Sequence, residues 1–123
     1  MRGMQFLSLF RSQPVMAAVV CLIAVTSRAE AASFDCDAAE LAADEKAICE
    51  NRKLNDADVR MVTTFDLLSG LLAMGARGTL QDQQAAWLKE RQACGGDADC
   101  IGRAYEKRML ELDQAYKNIS RPL

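Results

Sequence analysis

A chain of 123 residues with 15 basic and 17 acidic side chains, a formal charge of −2, has room for one modest domain and carries no positive excess. That balance argues against nucleic acid and anionic membrane surfaces as partners. The complete absence of histidine removes the commonest general base and a common metal ligand.

Residues 1–31 read as a secretory signal. Arg2 and Arg11 lie in a charged start, Val15 to Val25 is almost wholly apolar, and Ala29-Glu30-Ala31 offers small residues for cleavage. The apolar run is about eleven residues, short of the ~20 a spanning helix needs, which disfavours an uncleaved anchor. Val19 and Val20 precede Cys21 where lipid modification would require small residues, so Cys21 reads as an ordinary apolar residue of the signal. Cleavage is expected after Ala31, to within a residue or two, leaving 32–123 as one helical domain. Losing Arg2, Arg11, Arg28 and Glu30 leaves 12 basic and 16 acidic residues, a formal charge of about −4. No stable membrane insertion is expected of the remainder.

Four cysteines follow the signal: Cys36, Cys49, Cys94 and Cys100. An even number in an exported chain reads as a disulfide framework with three possible pairings. The local pairs, Cys36–Cys49 and Cys94–Cys100, are favoured, the second because Gly95-Gly96 makes a turn between the adjoining ends of consecutive helices. Neither Cys-x-x-Cys nor Cys/His spacing occurs, so metal and redox roles are not expected, and no cofactor is implied.

The stretch "DAAELAADEKAIC" suggests one or two short helical turns. From Leu54 the apolar positions Leu54, Ala57, Met61, Phe65, Leu68 and Leu72 alternate gaps of three and four, the helical period. Asn55 or Asp56 can cap that helix, and Gly75 and Gly78 can end it. Thr79, with Asp82 three places on, resembles a capping box opening a second helix that carries Leu80, Trp87 and Leu88 and stops at Gly95-Gly96. Asp97 caps a third, with the stripe Ile101, Tyr105, Met109, Leu112, Tyr116 and Ile119, and Pro122 bars continuation. The expected fold is all-α: a small antiparallel three-helix arrangement with a short N-terminal helical segment, stapled by two disulfides.

Nothing in this pattern marks catalysis. The pairs Asp97/Asp99 and Asp44/Glu45 lie near helix starts, where carboxylates favour the helix dipole. "GARG" lacks the Lys-Ser or Lys-Thr of a phosphate loop, and Tyr105 and Tyr116 fall on an apolar stripe. Asn118-Ile119-Ser120 is a chance glycosylation sequon. Trp87 and Arg91 lie four apart on one helix face. They can form an aromatic and cationic docking patch, or a core tryptophan covered by an arginine paired with Glu90 or an acidic residue of another helix; the second arrangement is favoured.

The segments "FDC" at Cys36, "EKAIC" at Glu45 to Cys49, Leu54, Asp58, Met61, "QAAWLKERQAC" (Gln84, Trp87, Leu88, Arg91, Cys94), Cys100 and "AYEKRMLEL" (Tyr105, Arg108) together resemble the LprI-type lysozyme-inhibitor domain family of small exported bacterial proteins. The likeness runs from about Phe34 to Leu112. Phe65 stands where that family usually has tyrosine, and Ala57 replaces a larger apolar residue. The resemblance implies an exported, non-enzymatic helical domain with paired cysteines, and inhibition of lysozyme as its activity. Lysozymes are typically basic, so an acidic inhibitor would be steered to them. Exposure nominates the turn Met74 to Thr79, with Met74 and Arg77, then Asp97 and Asp99, as partner-binding residues beside Trp87 and Arg91. The rival expectation is an envelope structural or interaction module without inhibitory activity. Oligomeric state is left open.

Overall fold

The computed structural model describes residues 32–119; the expected signal, Cys21, Ser120 and Pro122 lie outside them. Among the described residues the secondary structure consists of four helices and no strand: α1 (Ala43–Glu50), α2 (Arg52–Leu71), α3 (Met74–Ala93) and α4 (Ala98–Lys117).

Local chemistry sets most of the boundaries. Glu45 reaches back to accept from the Ala42 main-chain N–H at 2.9 Å. This is half of a capping box, because Ala42 has no acceptor to complete it. Asn51 ends α1 in extended backbone and begins α2, its Oδ1 accepting from the N–H groups of Lys53 and Leu54. The cap of α2 is therefore Asn51, four residues before the expected Asn55, since its side chain can satisfy first-turn donors immediately after the break. Asp97 does cap α4, accepting at 3.0 Å from both Asp99 N–H and Cys100 N–H. Between α3 and α4 only Gly95 has a positive φ, +55°, the left-handed conformation that a Cβ would oppose.

The second expected boundary is displaced. α3 begins at Met74, so Gly75, Gly78 and Thr79 lie inside the helix and not in a turn before it. The Thr79 hydroxyl donates to the Gly75 carbonyl at 3.2 Å and does not cap. Glycine in a helix costs only about 1 kcal/mol against alanine, too little to stop a helix whose next turns bury Leu80 and Trp87. The α2–α3 connection is just Leu72 and Ala73, held by Arg77, which donates to the carbonyls of Ser69 (2.8 Å) and Leu72 (3.0 Å). These are end-of-helix acceptors that would otherwise lack partners.

Side-chain pairings give the directions. Cys94 is joined to Cys100, Trp87 meets Ala104 and Leu80 meets Arg108, so α3 and α4 are antiparallel. Asp58 meets Tyr105, and a Cβ on Gly102 would meet Leu54, so α2 and α4 run in the same sense. The short α1 packs against all three. The core consists of Ile48, Leu54, Met61, Leu68, Leu80, Trp87, Ile101, Tyr105 and Leu112, each large apolar side chain worth about 1.5–3 kcal/mol when fully buried.

Both local disulfides form, Cys36–Cys49 and Cys94–Cys100, with Cα–Cα distances of 5.7 and 5.6 Å. The first ties the N-terminal turns to α1; the second clamps the α3–α4 turn. A loop of ~15 residues closed this way gains about 3 kcal/mol from chain entropy, a large increment for a domain with so small a core.

Candidate functional site

Four polar side chains, one from each helix, converge inside the core. Asp44 of α1 and Asp58 of α2 are 2% and 0% exposed, and Arg91 of α3 is 3% exposed. Arg91 Nε donates to Asp44 Oδ2 at 2.8 Å, and its Nη1 donates to the Tyr105 hydroxyl at 3.3 Å and lies 3.7 Å from Asp58 Oδ1. Tyr105 of α4 donates in turn to Asp58 Oδ1 at 2.7 Å, while Asp58 Oδ2 accepts from the Ser33 main-chain N–H at 2.6 Å. The guanidinium is also flanked by rings, its Cζ 5.7 Å from the centre of Phe34 and 5.8 Å from that of Trp87. Trp87 donates Nε1–H to the Ala104 carbonyl at 2.9 Å and packs on Tyr105 at 5.3 Å between ring centres.

A second knot lies lower in the bundle. Arg108, fully buried, donates to Gln84 Oε1 (2.8 Å), Glu111 Oε2 (2.9 Å) and the Leu80 carbonyl (3.4 Å). Gln84 also lies against Met61, its Nε2 3.2 Å from Sδ. Each buried charge thus has partners on another element, as burial of ions requires.

The surroundings fix the protonation of Tyr105. Burial raises its phenol, the hydrogen bond to Asp58 and that carboxylate's charge raise it further, and Arg91 opposes them; the net result lies well above the ordinary 10.0. Burial alone would lower the Arg91 guanidinium, but Tyr105 and Asp44 more than offset this and hold it above its usual value. For Tyr105 the linkage has a definite sign. Below pH 10 the phenol is protonated in both folded and unfolded chains and its contribution is complete. Above pH 10 only the unfolded chain ionises readily, so stability falls as pH rises towards the folded-state value. Urea melts between pH 8 and 12 are expected to show this alkaline loss, and Tyr105→Phe is expected to flatten it. The substitution should also cost about 1–3 kcal/mol at neutral pH, because Asp58 loses a buried donor. An unchanged alkaline slope in Tyr105→Phe would refute the assignment.

Trp87, 2% exposed, and Arg91 are interior, the favoured of the two expected arrangements: of the partners expected for the arginine, it takes the acidic residue of another helix, Asp44 of α1, and not Glu90. Glu90 instead pairs on the surface with Lys107. Arg77 and Asp97 are occupied in capping helix ends. Met74, 86% exposed, and Asp99 do face solvent. Tyr116 and Leu88, placed on core stripes by their spacing, are 44% and 37% exposed.

Periodicity missed what lies outside. Between α2 and α4 runs an open groove of about 1370 Å³, larger than the pockets that enclose drug-sized ligands. Leu54, Leu68 and Leu112 form part of its floor. The half nearer the starts of α2 and α4 is edged by Lys53, Asp56, Arg60, Asp99, Arg103 and Glu106, and the other half by Leu67, Leu71, Leu110 and Tyr116. Leu67, Leu71 and Leu110 are 67%, 64% and 72% exposed. Met74, at the start of α3, is exposed as well but lies outside the lining of this groove. An exposed cluster of large apolar groups is the usual mark of an interaction surface. The signal available in the sequence was the pair Leu67 and Leu71, which sit beside the buried Leu68 but off its face.

Among the described residues, no group of three or more acidic or cysteine side chains is placed to hold a metal, and no helix is long and apolar enough to cross a membrane.

Fold and buried network together define a small helical scaffold, disulfide-stapled and knotted by internal ion pairs. In sequence, the chain is similar to Lipoprotein LprI of Mycobacterium tuberculosis and of Mycobacterium bovis, 30% identical over 71 residues. The match takes in 55% of this chain and 34% of those proteins, so the chain spans about a third of the length of the curated relatives it matches. The relationship is distant. No known family profile matches the chain, and no solved structure does.

Proposed function

We propose that this chain is an exported, non-enzymatic binding protein whose partner is lysozyme. The observation that carries the reading is the apolar end of the α2/α4 groove, lined by the exposed Leu67, Leu71 and Leu110. The relationship to LprI, the disulfides and the expected signal support export. The acidic balance of residues 32–123 suits a basic partner and favours fast, salt-sensitive encounter. Asp99 and Glu106 on the groove edge would meet lysozyme's cations, and the leucines would supply the desolvated centre that dominates protein affinity. Of the residues first nominated by exposure, Asp99 lines this groove and Met74 faces solvent elsewhere, while Arg77 and Asp97 satisfy helix ends; Trp87 and Arg91 are interior.

A cell-wall lysis assay with residues 32–123 tests the proposal. Molar excess should slow at least one lysozyme class. Leu67→Asp and Leu110→Asp are each expected to weaken inhibition about tenfold or more, while stability stays within about 0.5 kcal/mol because both sites are exposed. Failure to slow any class would dismiss lysozyme as the partner.

The second reading is an envelope interaction module without inhibitory activity. It is favoured by the shape of the surface: a concave groove receives a partner's helix or loop more readily than it enters an enzyme cleft. Its distinguishing result is an uninhibited lysozyme together with a defined envelope protein whose binding Leu67→Asp abolishes.

A further inference from the structure

Among the described residues the Arg91 network holds two buried carboxylates and one guanidinium. Arg91 is 2.8 Å from Asp44 but 3.7 Å from Asp58. The other buried cation, Arg108, is occupied by Gln84, Glu111 and the Leu80 carbonyl. The groups facing Asp58 are Ser33 N–H from the N-terminal segment, Arg91 from α3 and Tyr105 from α4, with Asp44 of α1 on the far side of the guanidinium. Among the described residues the network thus holds one more carboxylate than cation, and a buried charge without its counterpart is strongly unfavourable.

Asp58 Oδ2 reaches the very start of the domain, at Ser33 N–H, 2.6 Å away. Ser33 is the second residue of the chain that cleavage after Ala31 would leave. Standard backbone dimensions put the Ala32 nitrogen within about 6 Å of that oxygen. We propose that the amine released by removal of the signal seats beside Asp58 as an ammonium, so that maturation itself supplies the missing positive charge of the core. Hydrolysis of the Ala31–Ala32 bond by a signal peptidase consumes one water and leaves a carboxylate on Ala31 and an ammonium on Ala32. Before cleavage the same nitrogen is a neutral amide and contributes no charge. The exported chain is then more stable than its precursor through one new ion pair. This inference rests on the export reading and is independent of lysozyme.

The experiment compares residues 32–123 bearing a free amine with the same chain acetylated at Ala32. By NMR titration of labelled Ala32, the amine is expected to lose its proton about one unit above the usual ~8. Acetylation is expected to lower the melting temperature by about 5 °C at pH 7. A raised amine stabilises below its unfolded value, so the difference should be complete at pH 7 and fade as pH climbs past the folded value. In Asp58→Asn the effect of acetylation should vanish; if that variant does not fold, the titration of the unaltered chain decides. An amine titrating at its ordinary value, with acetylation leaving the melting temperature unchanged, would overturn the pairing. N-terminal sequencing of the exported protein tests the export reading separately. A start at Ala32 supports the proposal, and a lipid-bearing start at Cys21 would overturn its link to maturation without altering the pairing measured in residues 32–123.

Discussion

Replacing Arg91 with methionine is expected to destabilise the domain by about 3–5 kcal/mol, because it strands two buried carboxylates at once. The volume is nearly kept, so the loss is electrostatic. Asp44 loses its 2.8 Å partner, Asp58 loses its neighbouring charge, and among the described residues the Tyr105 hydroxyl remains as the only side-chain donor to Asp58. Against a total stability of about 5–15 kcal/mol for a native protein, such a loss leaves a marginal fold. Urea melts at pH 7 measure it directly. The decisive control adds Asp44→Asn and Asp58→Asn to the same chain. With the orphaned charges gone, the triple variant should recover much of the loss, since removing a whole buried ionic set is often near neutral. If Arg91→Met alone melts like the parent, the network is not carrying charge in the folded state.

Trp87→Ala should cost a similar amount, about 3–5 kcal/mol, by the cavity it opens between α3 and α4. Three contacts go together: the tilted ring contact with Tyr105, the Nε1–H bond to the Ala104 carbonyl, and one of the two rings flanking Arg91. Trp87→Phe, which keeps a ring and loses the donor, should fall between the parent and the alanine variant. The measurement is again an equilibrium melt, paired with the lysis assay corrected for the folded fraction. A core role predicts that inhibition per folded molecule is unchanged in both variants. Retained stability with lost binding would place Trp87 at an interface, against its 2% exposure.

The same residues show where reading the chain succeeds and where it slips. Spacing picked out Leu54, Met61 and Leu68 on α2, Leu80 and Trp87 on α3, and Ile101, Tyr105 and Leu112 on α4, all buried. It chose Ala57 where the core position is Asp58, and Met109 where it is Arg108. Both slips have one cause: a search for apolar residues steps around a charge, although 54, 58, 61 and 101, 105, 108, 112 are the truer stripes. The family-like residues Asp58, Gln84, Arg91, Tyr105 and Arg108 were visible in the sequence, but as a string of matches. Their partners on other helices lie 14 to 47 positions away, as Arg91 does from Tyr105 and from Asp44, and no local pattern encodes that distance.

What the sequence determined by itself is local: the helical period, the Asp97 cap, the left-handed Gly95 turn and cysteines near enough in the chain for local pairing. Each depends on interactions within about one or two turns, so neighbouring residues suffice to specify it. Tertiary structure alone decided that α3 would run through Gly75 and Gly78, because burying Leu80 and Trp87 outweighs the small penalty of glycine. It also decided which charges are interior and which leucines remain outside. Burial depends on what the other helices bring to the same place: Asp58 is held inside by groups from α3, α4 and the N-terminal segment, while Leu67, one residue before the buried Leu68, has no helix over it among the described residues.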